Sequence, residues 1–160
     1  YEHSTYEILA RGIHSEYNRN QKKLERLAEV KEWWDLTEIK RGQNRSQAEH
    51  ILIMLKTINH KIALTYDWSP EIHKFDESEI ELLARMEHER WICYQQQVGW
   101  SYAPKEDPAR KKHPCLLDWD DPKIEEYCRV NDRNHVRSIP MIIADVGFEI
   151  RHIAPRSPHQ

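Results

Sequence analysis

Two stretches of this chain, Glu7 to Gln21 and Glu81 to Gln95, are near copies of one another, and that duplication limits what the chain can fold into. When Ser4 is laid on Ser78, Glu7 falls on Glu81, Leu9 on Leu83, Ala10 on Ala84 and Arg11 on Arg85. His14 then falls on His88, Tyr17 on Trp91 and Gln21 on Gln95. A second match follows at a different offset. Asn44-Arg45 aligns with Asp132-Arg133, Ile51 with Ile139, Leu55 with Ile143, Ile58 with Val146, Asn59 with Gly147 and Ile62 with Ile150. Self-similarity at this length scale is the mark of a duplicated supersecondary unit.

The copied residues have helical logic. Ser4-x-x-Glu7 and Ser78-x-x-Glu81 read as capping boxes that start two helices. Alanine, histidine, an aromatic ring and glutamine then recur at i, i+4, i+7 and i+11, on one helical face. Asn44 and Asp132 read as N-caps of a second pair of helices, and Asn59 and Gly147 as the left-handed residues that end them. Pro140 inside the last helix is expected to kink it or delay its regular part. The runs "HKIAL" and "FEIRHI" that follow read as short strands, expected to pair with each other.

The expected fold is therefore α+β and mainly helical. It has two tandem repeats related by a pseudo-twofold axis, each helix–loop–helix with a short strand, their apolar faces forming one shared core. Repeat 1 covers residues 1–65, a linker 66–77, repeat 2 residues 78–154 and a tail 155–160. The loop from Gly99 to Asp118 carries Trp100, Tyr102 and Pro114, which are expected to pin it to the second pair of helices.

Composition closes off several classes. The 160 residues carry a net charge of -3, so no global basic field exists for a nucleic-acid polymer. Lys105, Arg110, Lys111 and Lys112 form a local basic patch. No apolar run reaches the roughly 20 residues of a membrane span, and no secretory signal is visible. With 4 glycines and no P-loop, H-E-x-x-H or G-x-S-x-G, neither a Gly-rich phosphate loop nor a familiar catalytic frame is present. Cys93, Cys115 and Cys128 contain no C-x-x-C pair, so reduced thiols in a cytoplasmic protein are expected rather than a disulfide framework. His113-Pro114-Cys115 falls short of the ligand count of a zinc site. No metal and no cofactor are expected. A first residue other than methionine points to a longer chain with a further N-terminal domain, and an oligomer is compatible with all of this.

The second copy, "LARMEHERW…GWSYAPKEDPARKKHPCLLDWD…NDRNHVRSIP", resembles the ryanodine receptor repeat. The marks are a helix ending in H-x-x-W, then G-W-x-Y, an Asp, a basic pair before x-P-x-L, an aromatic residue, and [ND]-R opening the next helix. The first copy carries the same frame more weakly, with Tyr17 for the first tryptophan and Trp34-Asp35 standing where Trp119-Asp120 stands. The resemblance implies a paired, pseudo-symmetric unit of helices and short strands. It also implies a bacterial or phage module that follows a Rossmann-type region, senses nucleotide signals, and in some members serves antiviral defence. An adenine nucleotide would lie in the cleft between the repeats.

Carried over residue by residue, the resemblance makes Trp91 and Tyr17 the rings that stack on a base, with His88 and His14 one turn earlier. Gln95, mirrored by Gln21, stands where channel repeats carry an arginine. Cys115 stands at a position that is basic in some of them. Both departures remove phosphate partners. His113 precedes the proline of x-P-x-L, and Asp132 and Arg133 match the [ND]-R pair, with Arg133 expected to meet phosphate or to pair with Asp132, Glu87 or Asp107. The reading that results is a non-enzymatic regulatory domain that binds an adenine-containing nucleotide or nucleotide-derived signal. Against it stand a protein-interaction module docking to another subunit, and an enzyme using His88 and Glu87 as acid and base. The unadorned reading of the same residues is structural. Tryptophans at helical spacing are usually core, and buried histidines normally bond backbone carbonyls.

Overall fold

A computed structural model describes residues 2–66 and 71–154. In chain order the elements are α1 (His3–Lys23), α2 (Glu38–Thr57), β1 (His60–Leu64), α3 (Glu77–Gln97), β2 (Ser101–Tyr102), β3 (Lys112–His113), α4 (Glu126–Asp145) and β4 (Phe148–His152). The fold is mainly helical α+β. The duplication is carried in the element bounds: α1 and α3 are each 21 residues long and α2 and α4 each 20.

The helices start earlier than the capping signals predict. α3 is capped by Asp76, whose side chain accepts from Glu79 N while Glu79 reaches back to Asp76 N. The capping box thus lies two residues before Ser78. α1 begins after Glu2 with no side-chain cap. α2 is capped by Thr37, so Asn44 lies two turns inside it, and Asp132 likewise lies within α4. The copied glutamates and the copied [ND]-R pair are therefore not caps. They serve tertiary pairs, described below.

The helix ends follow the expectation. Asn59 (φ 63°) and Gly147 (φ 88°) both take the left-handed conformation that terminates α2 and α4. α1 and α3 end alike. Arg26 N donates to Gln21 O and Trp100 N donates to Gln95 O, each at 2.9 Å. The left-handed residue in these two turns is Glu25 (φ 58°) in one copy and Gly99 (φ 93°) in the other. α4 continues unbroken through Pro140.

The chain divides into two compact units, cut differently from the sequence repeats. One is Tyr1–His73 with Ile139–Gln160, and the other is Lys74–Ser138. In the first unit α1 packs on α2, and β1 pairs antiparallel with β4 with Ile62 opposite Ile150. Those two isoleucines are counterparts in the duplication, so a local twofold axis passes between the two strands. Leu9, Ile51, Met54, Leu55 and Ile143 form its fully buried centre. Gly12 marks a close approach: a Cβ there would lie 2.7 Å from Val146 Cγ1.

The second unit is built on α3 and the first part of α4, with Leu83 and Val136 fully buried. Its long connection has a fixed course. β2 pairs with β3, Asp107 bridges to Lys112, and Trp100, Tyr102 and Pro114 are half-buried. Cys115 and Cys128 form a disulfide, Cα–Cα 5.6 Å, that ties this connection to the first turn of α4. This corrects the expectation of three reduced thiols. Nothing in the spacing of the pair shows that the connection folds back over α4. Cys93 is free and exposed.

Candidate functional site

The histidine stripe of α3 is held from both sides. His88 is 1% exposed. Its Nε2 lies 2.6 Å from the Leu117 carbonyl oxygen and its Nδ1 2.8 Å from Asp132 Oδ2. Both partners are acceptors, so the doubly protonated ring satisfies both. Burial works against that charge. The hydrogen bonds to Asp132 and Leu117 and the charges of Asp132 and Asp118 outweigh it, and the pKa is raised above the ordinary imidazole value. Beside it Glu87, 5% exposed, receives Arg90 through two bonds of 2.9 and 2.6 Å.

One turn on, half-buried Trp91 packs with Leu117 on the cluster of Cys115, Ile124 and Cys128. The His113 ring meets it edge-on at 5.1 Å and stands 6.4 Å from Trp100. His113 Nδ1 accepts from Cys115 N, and burial lowers its pKa, so this ring is neutral. Gln95 is half-buried on the same helical face. The structure thus brings together His88, Trp91, His113 and Asp132 in one unit.

In the first unit, buried His14 has its Nε2 2.6 Å from the Lys31 carbonyl oxygen. Tyr17 stacks beside it at 6.3 Å with an interplanar angle of 19° and is 44% exposed. Gln21 Oε1 is buried without a hydrogen-bond partner. His14 shares Lys31 O with Asn18, where His88 has the carboxylate of Asp132. The buried charged pair therefore belongs to the second copy alone.

Arg133 does not point to a free anion site. It donates to both oxygens of Glu81 at 2.8 and 3.1 Å and to Glu126. Those bonds hold both carboxyls below, and the guanidinium above, their ordinary pKa values. The partners are not Asp132, Glu87 or Asp107. Glu81 lies on the facing helix, and Glu126 lies two turns back on the same face of α4.

The first unit repeats this triad. Arg45 donates to Glu7 at 2.7 Å and to Glu38 at 2.6 Å. Each triad borders a buried tryptophan ringed by arginines. Arg85, Arg129 and Arg133 lie 5.4–5.9 Å from the Trp119 ring, and Arg11 and Arg45 both lie 5.8 Å from Trp33. Arg129 donates to the Trp119 carbonyl and Arg41 to that of Trp33.

Trp33, not Trp34, is therefore the counterpart of Trp119. Trp33 is 7% exposed and Trp34 71%. The signal for this frame was present in the chain, because Glu38 and Arg41 repeat as Glu126 and Arg129 at the same offset as Arg45 and Arg133. Among the described residues no group of three or more His, Cys, Asp or Glu side chains is set to hold a metal ion, and no helix is long and apolar enough to cross a membrane.

A duplicated helical module with an Arg–Glu-clamped tryptophan and a carbonyl-bonded histidine in each copy is the class these units define. The family model described as the RyR domain matches residues 70–152, more than half of the chain, and the chain belongs to that family. Membership places it among regulatory or interaction modules.

Proposed function

We propose that this RyR-domain chain is a non-enzymatic regulatory module that binds an adenine-containing nucleotide or a nucleotide-derived signal. The observation that carries the reading is the ring-and-amide pair that each copy presents on its first helix. Tyr17 is partly open to solvent beside a buried histidine, and the buried Gln21 Oε1, one turn on, lacks a partner. An unpaired buried acceptor is costly, and the exocyclic amine of adenine is a donor of the right kind. Trp91 and Gln95 repeat the pair in the second unit, where His113 and the disulfide fix the ring. Stacking on such a ring contributes roughly 1–3 kcal/mol per base.

The test is calorimetric titration with mono-, di- and cyclic nucleotides. Tyr17→Ala and Trp91→Ala are each expected to weaken binding by about 5- to 150-fold. Circular dichroism checks that Trp91→Ala, which also loses packing, remains folded. Affinity unchanged in both variants, or no binding by the parent chain, would refute the reading. A second reading, a protein-interaction module, is favoured by the exposure of Leu24, Leu27, Trp34 and Ile39 in the first unit at 59%, 69%, 71% and 74%. It gains ground if no nucleotide binds.

A further inference from the structure

The two copies of the helix pair differ at one place that the ion triads do not explain. In the first unit the start of α1 and the middle of α2 enclose an open groove of about 450 Å³, lined by His3, Tyr6, Glu7, Gly42, Arg45 and Glu49 among others. Glu7 and Arg45 belong to the triad, and the second copy keeps them as Glu81 and Arg133. The other four are exchanged. His3 corresponds to Glu77, Tyr6 to Ile80, Gly42 to Val130 and Glu49 to Arg137.

In the second unit Arg137 Nη2 lies 3.7 Å from Glu77 Oε2. A guanidinium carried by α4 thus reaches the first residue of α3 at the place that corresponds to the groove. The first unit lacks that guanidinium. It has instead the carboxylate of Glu49, which has no hydrogen-bond or ion-pair partner among the described residues, and Gly42, where a Cβ would meet nothing within 4 Å. Glu7 and Arg45 neutralise each other. The carboxylate left over among the lining residues is that of Glu49, in the same groove as the ring of Tyr6.

We propose that this groove binds an organic cation, a guanidinium or alkylammonium group, held by Glu49 against the Tyr6 ring in the position that Arg137 fills in the second copy. A charge-assisted hydrogen bond and a cation–π contact are the two interactions the lining offers. Arg45, the arginine of the lining, already holds two carboxylates. The groove is open, so binding is expected to weaken with salt. The cation belongs either to a small molecule or to an arginine or lysine side chain of a partner protein.

The experiment is a heteronuclear NMR titration of the whole chain with agmatine and, separately, with a blocked Gly-Arg-Gly peptide; glutarate serves as the anionic control. Saturable shifts are expected at the amides of His3, Gly42, Ser46 and Glu49 with the cations and none with glutarate. Glu49→Gln should weaken binding roughly tenfold, the lower end for a hydrogen bond to a charged group. Gly42→Val, which installs the residue of the second copy in open space, should do the same while leaving the circular dichroism unchanged. Tighter binding of the peptide assigns the site to a protein partner, and tighter binding of agmatine to a free small cation. No saturable shift with either cation, or equal affinity in Glu49→Gln, overturns the proposal. Nucleotide titrations do not bear on it, since it uses none of the residues assigned to the base.

Discussion

Replacing Asp132 by alanine tests whether His88 is a charged clamp between α3, α4 and the connection that carries Leu117. The ring is 1% exposed and both nitrogens face acceptors, Leu117 O at 2.6 Å and Asp132 Oδ2 at 2.8 Å. A hydrogen bond to a charged group contributes about 1.5–3 kcal/mol. Stranding a fully buried charge costs about 3–5 kcal/mol. Asp132 keeps 18% side-chain exposure, so water takes up part of the loss, and the expected cost is about 2–3 kcal/mol.

The sign with pH follows from the raised pKa of His88. The unfolded ring titrates near ~6.5. The clamp therefore contributes fully below that pH, and its contribution is lost as the pH rises through the folded-state pKa. Urea unfolding followed by tryptophan fluorescence, between about pH 6 and about pH 9, should show the gap between the parent chain and Asp132→Ala shrinking. The His88 Cε1 proton should titrate above ~6.5 in the parent chain. A gap that grows with pH, no gap at all, or a His88 that titrates below the ordinary value would refute the clamp.

Three further outcomes are expected. Trp33→Ala should cost about 3–5 kcal/mol as a large-to-small core change and Trp34→Ala less than about 0.5 kcal/mol, measured by chemical denaturation; the reverse order would restore Trp34 as the partner of Trp119. Glu25→Gly, which copies Gly99 into the left-handed turn after α1, should stabilise by up to about 1 kcal/mol by relieving the Cβ penalty, seen as a raised Tm. Reducing the Cys115–Cys128 disulfide, whose sequence separation is 13, should destabilise the second unit by about 2–4 kcal/mol, and mass spectrometry of alkylated chain before and after reduction reports the bond itself.

Much of the helical frame was legible because local rules decide it. Left-handed terminators at Asn59 and Gly147 ended the helices where expected, and the two runs read as strands pair, with the counterparts Ile62 and Ile150 face to face. The helix starts depart from the capping signals for a physical reason. Ser78-x-x-Glu81 and Asp76-x-x-Glu79 are equally good capping boxes on paper. The first glutamate is drawn to Arg133, which leaves the cap to Asp76. Asn44 and Asp132 looked like caps for the same reason, since a short polar residue before an apolar run carries no record of a partner on another helix.

The sequence by itself determined that the chain is doubled, that each copy is two helices and a strand, and that histidine, ring and amide share one face of the first helix. Those are properties of spacing, and spacing is local. Only the tertiary structure decided which of two adjacent tryptophans is buried, that Arg133 is held by Glu81 and Glu126, that Asp132 serves His88, and that Cys115 meets Cys128. Each of these turns on where a connection returns after many residues. The energy of an ion pair or a disulfide depends on a distance of a few ångströms that the order of residues does not state.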